Sequence, residues 1–172
     1  GLQRFVAAGA DFAVCLGDMT QPAGSVAEQY RQISDIVDEW NSYEIPVHAV
    51  FGNHEFQQLS WQQVFEIWNV DRGYFSFDLE DIRFLILDTN IRPDGVHFSE
   101  DDFDWRYGII DQEQIRWLKE QLSDRKRTFV FTHANLYFDP TDEHVMFYQI
   151  QNHQEIINIL ADAGCVDTVF QG

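Results

Sequence analysis

The sequence has few basic residues, and only two of its 172 residues are lysines. Eleven lysines and arginines stand against 29 aspartates and glutamates, which gives a formal net charge of −18. This balance argues against an anionic partner, whether a nucleic-acid duplex or an anionic membrane surface. Long hydrophobic runs are also missing. Because no window of 18 apolar residues occurs, the sequence excludes a membrane-spanning helix.

Cysteine and proline are scarce as well, with two cysteines and four prolines. Cys15 and Cys165 each lie in an apolar run, where isolated cysteines behave as small hydrophobic side chains, so we expect no disulfide. The lack of a disulfide pattern favours a cytoplasmic location.

No signal peptide occurs. Because the chain starts directly in a helical segment and stops as a strand finishes, we expect both natural termini to lie beyond it.

Aromatic residues, in contrast, are abundant: 15 Phe, 6 Tyr and 5 Trp. These side chains need a sizeable core, which indicates one globular domain and excludes disorder, collagen and a coiled coil. An acidic surface with few lysines would suit high salt, where screening weakens the repulsion between carboxylates. The fifteen phenylalanines argue against such an adaptation, and we favour an ordinary acidic surface.

Short apolar runs alternate with amphipathic stretches along the chain. Ser25 and Asp111 are predicted to begin helices, a shorter helix is predicted over residues 61–68, and Gly164 is predicted to end the last helix. Strands are predicted over residues 12–16, 47–51, 74–79, 83–87, 128–132 and 166–170. The third and fourth strands form a predicted antiparallel hairpin. The alternation predicts an α/β fold with a mixed sheet.

Three of the predicted strands end in polar residues able to bind a metal ion, namely Asp18, Asn53 and His133. In open α/β sheets, ligands bind at the carboxyl ends of the strands. A carboxylate, an amide carbonyl and an imidazole together suit Mn, Fe or Zn. A Gly-Asp pair or a Thr-His pair alone is commonly an ordinary loop. The run Gly-Asn-His-Glu at residues 52–55, however, has no packing reason to follow an apolar strand.

The order of these motifs resembles the calcineurin-like metallophosphoesterase superfamily. The blocks of that superfamily run Asp-x-His, Gly-Asp, Gly-Asn-His-Asp/Glu, His, and Gly-His-x-His. The chain matches the second block at residues 17–18, the third at residues 52–55 and the fourth at His133. The first block is absent, and Gly172 would be the first glycine of the fifth.

The resemblance implies an α/β fold in which a two-sheet mixed β-sandwich is flanked by helices, in four αββα layers. It also implies a single catalytic domain over residues 1–172 that is incomplete at both termini, lacking the first strand and the final strands. Some of the superfamily's metal ligands would lie in the missing parts. We therefore expect the fragment by itself to be inactive.

The resemblance also implies a role for each motif residue. Asp18 would bridge two divalent metal ions (Mn, Fe or Zn), and Asn53 and His133 would ligate the second. His54 would be the catalytic acid that protonates the leaving oxygen, and Glu55 would hold a ligand or His54 in orientation. Two such ions clamp the attacking and leaving oxygens and lower the pKa of bound water. The function implied is that of a metal-dependent phosphoesterase.

Longer stretches bear on the substrate. Residues 45–48, 52–56, 83–88 and 111–118 resemble the ADP-ribose/CDP-alcohol diphosphatases, although class III cyclic-nucleotide phosphodiesterases share much of this pattern. They imply a small, nucleotide-derived substrate with a phosphodiester or phosphoanhydride bond. Gln21 stands where purple acid phosphatases have a tyrosine, which argues against their iron chemistry. Two alternatives stay open: a phosphomonoesterase of the same superfamily, and a non-catalytic binding scaffold with this fold.

The remaining histidines and loop aromatics are open to two interpretations. His48 lies in the middle of a predicted strand, so we expect it to be structural. His97 and His144 lie in long loops, where they either contact substrate or simply pack. The aromatic residues of these loops either stack against a nucleobase or pack beneath the loops: Phe98, Phe103, Trp105, Tyr137 and Phe138.

Overall fold

The computed structural model describes residues 1–21, 23–100, 102, 104–137 and 148–172, so Phe103, Phe138 and His144 lie outside the described residues. Within these ranges, the helices are α1 (Gln3–Ala7), α2 (Val26–Asn41), α3 (Trp61–Trp68), α4 (Gln112–Gln121) and α5 (His153–Ala163). The strands are β1 (Ala13–Cys15), β2 (Val47–Ala49), β3 (Phe75–Leu79), β4 (Ile82–Ile86), β5 (Arg127–Thr132) and β6 (Val166–Gln171). Two short 3₁₀ helices cover His54–Phe56 and Trp105–Tyr107.

The strands form two sheets. β1 and β2 pair in parallel, and the second sheet has the strand order β3-β4-β5-β6. β3 and β4 are the predicted antiparallel hairpin, whereas β4, β5 and β6 run parallel to one another. The α/β class and the mixed two-sheet architecture predicted from the sequence are confirmed.

Strands β1 and β2 are shorter than predicted, because the residues that follow them bond to groups outside the sheet. The carbonyl of Leu16 accepts a hydrogen bond from Nδ1 of His133 at 2.7 Å. The carbonyl of Phe51 accepts one from the side chain of Asn90 at 2.8 Å. Both strands thus end where their backbone turns toward the carboxyl edge of the sheets.

Side chains alternate between the two faces of β4, as the pleat of a strand requires. Phe84 and Ile86 face the small sheet and pack there with Val50, in a buried cluster between the sheets. Leu85 and Leu87 face the other way, into the apolar cluster that α4 and α5 cover. The centre of the large sheet, at β4 and β5, is therefore buried on both faces, whereas the edge strands β3 and β6 are partly exposed.

Helices α2 and α3 cover the outer face of the small sheet. Ile33 of α2 and Val64 of α3 are both buried, in the same cluster as Phe51 and Phe56. The layers therefore run from helices through two sheets to helices. The longest of the described helices, α2, has 16 residues, and no helix in the described ranges combines the length and apolarity needed to cross a bilayer.

The helix ends follow the predicted signals. The Ser25 side chain accepts from the backbone N–H of Glu28 at 3.2 Å, and Asp111 accepts from that of Gln114 at 2.8 Å. Gly164 ends α5 in the left-handed conformation, with φ 65°. Such caps satisfy backbone groups that a helix leaves unpaired at its ends.

A buried ion pair joins the end of β4 to the loop that follows it. Nε2 of His97 lies 2.7 Å from Oδ2 of Asp88, and Nδ1 lies 3.1 Å from the carbonyl of Phe98. Burial alone would lower the pKa of His97, but the Asp88 carboxylate raises it overall above 6.5. Burial alone would raise the pKa of Asp88, but His97 and then Asn90 bring it below 3.8.

Replacing His97 with Gln should leave a buried carboxylate without its cation and lower the free energy of unfolding by about 3–5 kcal/mol. The raised pKa of His97 means that its contribution is complete below pH 6.5 and is lost as the pH rises through the folded-state value. The lowered pKa of Asp88 means that its contribution is present above pH 3.8 and is lost on further acidification.

The difference between wild type and His97→Gln should therefore be greatest between pH 3.8 and 6.5, measured by urea unfolding. His153→Gln is the matched control, because Nδ1 of His153 contacts only the carbonyl of Ile150 among the described hydrogen bonds. A difference that is the same at pH 5 and pH 9 would show that the two groups are not an ion pair.

Candidate metal and catalytic site

The three polar strand ends meet at the carboxyl edge of the two sheets. Nε2 of His133 lies 3.3 Å from Oδ1 of Asn53 and 3.5 Å from Oδ1 of Asp18. Nε2 of His54 lies 4.0 Å from Oδ2 of Asp18. Residues up to 115 positions apart in the chain (Asp18 and His133) are thus brought together, and they include all three predicted metal ligands and the predicted acid.

The orientation of His133 decides what its ring offers. Because Nδ1 donates to the carbonyl of Leu16 at 2.7 Å, Nε2 carries the lone pair and faces the oxygens of Asn53 and Asp18. Two ligands of one ion, each about 2.0–2.2 Å from it, lie roughly 3–4 Å apart. Three electron-pair donors at this spacing fit a divalent cation.

The amide oxygen of Asn53 is essential to this donor set. Among the described residues, no three His, Cys, Asp or Glu side chains form a group that could hold a metal ion. Asp18 and His133 supply only two such ligands, and Asn53 supplies the third. Mixed oxygen and nitrogen donors suit Mn, Fe and Zn better than ions that seek thiolates.

Two glycines allow the site loops to approach this closely. Gly17 has φ 97°, a conformation that other residues rarely adopt, and a Cβ there would lie 2.6 Å from Nδ1 of His133. A Cβ on Gly52 would collide with Asp18 and lie 2.9 Å from Cε1 of His133. Glycine therefore precedes both Asp18 and Asn53, because a larger residue at either position would collide with the neighbouring site residues.

Glu55 binds the backbone of two site loops at once. One carboxylate oxygen accepts from the N–H groups of Gly52 at 2.7 Å and Asp18 at 3.1 Å. The other accepts from Met19 at 2.8 Å and Thr20 at 3.4 Å. That Glu55 holds a ligand or His54 in orientation stays a prediction. In the structure its carboxylate contacts backbone N–H groups, one of which belongs to the candidate ligand Asp18.

The burial of Glu55 also changes its acidity. The side chain is fully buried, and this burial raises its pKa to about 7, with a smaller contribution from the Asp18 carboxylate. The N–H donors of Gly52, Met19 and Asp18 act in the opposite direction, because they stabilise the charged form.

His54 is held by a residue that the sequence analysis missed. Its N–H donates to Oδ1 of Asp18 at 3.1 Å, and its carbonyl accepts from Nε2 of the fully buried Gln29 at 2.7 Å. Gln29 precedes the buried Ile33 by four residues, so it lies on the inward face of α2. In the sequence, Gln29 could have been recognised as a polar residue on the otherwise apolar face of this helix.

A cavity of about 420 Å³ opens over this cluster. None of the described residues that line it is a lysine or arginine, so the cavity itself offers no side-chain cation for an anionic substrate. The lining residues are Asp18, Asn53, His54, Trp105, His133, Ala134, Asn135, Tyr148 and Gly172. Asn135 and Tyr148 were not anticipated from the sequence.

Other candidate residues lie away from this cavity. His97 and Phe98 pack inside the fold, Phe98 with 1% exposure, so the packing interpretation holds for both. His48 stacks on Phe77 with ring centres 4.0 Å apart, and burial lowers its pKa, as expected for a structural histidine. Tyr137 is 65% exposed and does not line the described part of the cavity.

The comparison with known protein families agrees with this geometry. Residues 2–171 match the sequence model for the family described as calcineurin-like phosphoesterase. The chain belongs to the calcineurin-like phosphoesterase family. Because the match covers nearly the whole chain, the site motifs at residues 17–18, 52–55 and 133 occur in their family context rather than as isolated coincidences.

A curated relative shows the kind of activity found in this family. The chain is similar to the manganese-dependent ADP-ribose/CDP-alcohol diphosphatase of Oryza sativa subsp. japonica, with 22% identity over 199 aligned positions. The alignment covers 94% of this chain and 61% of the rice protein. The chain thus spans less than two thirds of the length of that relative.

Replacing Glu55 with Gln should weaken the contact between the loops after β1 and β2 more than it affects the rest of the fold. An amide has one acceptor oxygen, so it can keep the bonds from Gly52 and Asp18 or those from Met19 and Thr20, but not both pairs, and its NH₂ group would face the other pair of N–H donors. Hydrogen bonds to a charged group contribute about 1.5–3 kcal/mol each, and we expect a loss of this order in the free energy of unfolding at pH 8.

Hydrogen exchange should also show faster exchange at Asp18, Met19 and Gly52 in this variant. Glu66→Gln is the matched control, because Glu66 is an exposed residue of α3. Equal stability and equal exchange of the Glu55 and Glu66 variants would mean that the Glu55 carboxylate does not hold the loops.

Proposed function

We propose that this phosphoesterase hydrolyses a phosphodiester or phosphoanhydride bond of a small nucleotide-derived substrate, and that it requires divalent metal ions (Mn, Fe or Zn). The observation that carries the proposal is the convergence of Asp18, Asn53 and His133 within 3.3–3.5 Å around an imidazole lone pair. Family membership supports hydrolysis of a phosphate ester. The manganese-dependent diphosphatase activity named for the rice relative supports the metal and the substrate class.

Asp18, Asn53 and His133 are the residues that would hold metal. The side chains of His133 and Asp18 are 15% and 33% exposed, and all three residues line the cavity, so they are held by the fold yet open to it. When bound, divalent ions supply positive charge for the phosphate and lower the pKa of a bound water. The cavity needs this charge, because its described lining contains no lysine or arginine.

His54 would supply the proton to the leaving group. Its backbone is fixed on both sides of Cα, because the N–H donates to Asp18 and the carbonyl accepts from Gln29, while its side chain is 29% exposed at the cavity. In the reaction, a bond forms between phosphorus and the oxygen of a water that gives up one proton to solvent, and the bond to the leaving oxygen breaks. The proton on His54 neutralises that oxygen, which matters most for a strongly basic leaving group.

The experiment that tests the proposal is a substrate panel on the intact protein with manganese: ADP-ribose, a CDP-alcohol, a cyclic nucleotide and a nucleoside monophosphate. We expect turnover of a diphosphate or a diester, and its loss in Asp18→Asn. Asp162→Asn is the control, because Asp162 lies at the far end of α5. Turnover of the monophosphate alone would make the protein a phosphomonoesterase. Manganese binding without any turnover would make it a binding scaffold.

The variant His54→Ala tests the proton donor. We expect a decrease in kcat of about 10²–10⁴ for substrates with poor leaving groups, because they depend on general-acid catalysis. A nitrophenyl ester should be affected much less, since nitrophenolate leaves without a proton. The measurement is kcat for both substrates together with manganese affinity by calorimetry. Equal losses on both substrates, accompanied by weaker manganese binding, would show that His54 is a metal ligand.

A further inference from the structure

Two aromatic side chains border the cavity at a distance in sequence from its metal-binding residues. Trp105 and Tyr148 line the same cavity as Asp18 and His133, yet they are 38% and 57% exposed. Large aromatic side chains usually stabilise a fold most when they are buried in its core. The Arg106 guanidinium lies over the Trp105 ring, 5.8 Å from its centre. The ring surface that Trp105 and Tyr148 keep exposed at the cavity is available to a bound molecule.

The segment that carries Trp105 is held in place by neighbouring backbone and side-chain contacts. Its short helix begins at Asp104, whose carboxylate accepts from the N–H of Arg106 at 3.1 Å. The carbonyl of Gly108 then accepts from the N–H of Gln151 at 2.9 Å. The Asn152 side chain bonds the backbone of Ile110 in both directions, at 3.1 and 2.7 Å.

The same contacts fix the segment of Tyr148, because Gln151 and Asn152 follow it closely in the chain. In addition, the carbonyl of Tyr148 accepts from the N–H of Asn135 at 2.8 Å. Asn135 lies two residues after His133 and itself lines the cavity. Tyr148 is therefore tied to the loop of a candidate metal ligand, and through Gly108 to the segment of Trp105.

The size and chemistry of the cavity indicate what these rings contact. At about 420 Å³ it falls in the range typical of sites for whole small molecules, roughly 300–1,000 Å³. A phosphate group at Asp18, Asn53 and His133 would leave space for an organic group. Because none of the described lining residues is a lysine or arginine, the outer part of the cavity suits a neutral planar ring rather than a second anion.

We propose that Trp105 and Tyr148 form a stacking subsite for the nucleobase of the substrate, and so determine its specificity. This inference rests on the proposed function for the phosphate end of the ligand. Stacking on aromatic side chains is tolerant of base identity, because every base presents a π face. The subsite therefore favours nucleotides over base-free sugar phosphates, with little preference between purines and pyrimidines.

The test compares two ligands that differ only by a base, AMP and ribose 5-phosphate, whose binding to the intact protein with manganese is measured by calorimetry. We expect the wild type to bind AMP at least about tenfold more tightly, as the loss of one stacked base implies. Trp105→Leu and Tyr148→Leu should each remove most of this preference and leave the affinity for ribose 5-phosphate unchanged.

Three further variants separate stacking from folding. Trp105→Phe and Tyr148→Phe keep a ring and should keep the preference for AMP. Tyr107→Leu is the matched control, because Tyr107 lies on the same short helix, is 51% exposed and is not among the lining residues. The stacking subsite would be overturned if the wild type bound AMP no more tightly than ribose 5-phosphate. It would also be overturned if the leucine variants lowered the affinity for both ligands equally.

The outcome is distinguishable from failure of the proposed hydrolysis. If the same preparations prefer AMP in a manner that depends on Trp105 and Tyr148 but hydrolyse neither ADP-ribose nor a cyclic nucleotide, the subsite stands and the hydrolase proposal fails. If they hydrolyse these substrates and the leucine variants retain the wild-type preference for AMP, the hydrolase proposal stands and the subsite fails.

Discussion

The bonds between the buried Glu55 carboxylate and four backbone N–H groups are the interaction on which the site depends. A carboxylate removed from water is costly unless hydrogen bonds compensate it, and here both oxygens accept from main chain. The donors come from two loops, one after β1 and one after β2. By joining these loops, Glu55 determines where Asp18 and Asn53 lie relative to each other.

The site concentrates three electron-pair donors, on Asp18, Asn53 and His133, in a small volume. His133 is fixed through Nδ1 by the carbonyl of Leu16, so its free lone pair is directed at the oxygens of Asp18 and Asn53. In a chain of net charge −18, such a cluster attracts cations and repels phosphate. Cations held here would turn a site that repels a phosphate substrate into one that binds it.

Much of the fold and the main site residues could be predicted because their signals are local. Ser25 and Asp111 are capping residues whose partners lie three positions away, and the polar strand ends share one edge because their strands run in parallel within each sheet. The backbone contacts of Glu55, in contrast, bridge 36 or 37 positions to Met19 and Asp18, and no local pattern specifies them. The helical periodicity places Gln29 on the inward face of α2, but its bond to His54 depends on packing between elements, as does the position of Tyr148.

The central claim is that Asp18, Asn53 and His133 hold a divalent cation. The most direct test is an anomalous diffraction map, recorded above the manganese absorption edge, from crystals of the intact protein grown with manganese. The account predicts a peak about 2.0–2.3 Å from a carboxylate oxygen of Asp18, Oδ1 of Asn53 and Nε2 of His133. A well-ordered site with no anomalous peak there, or a manganese peak on other residues alone, would contradict it.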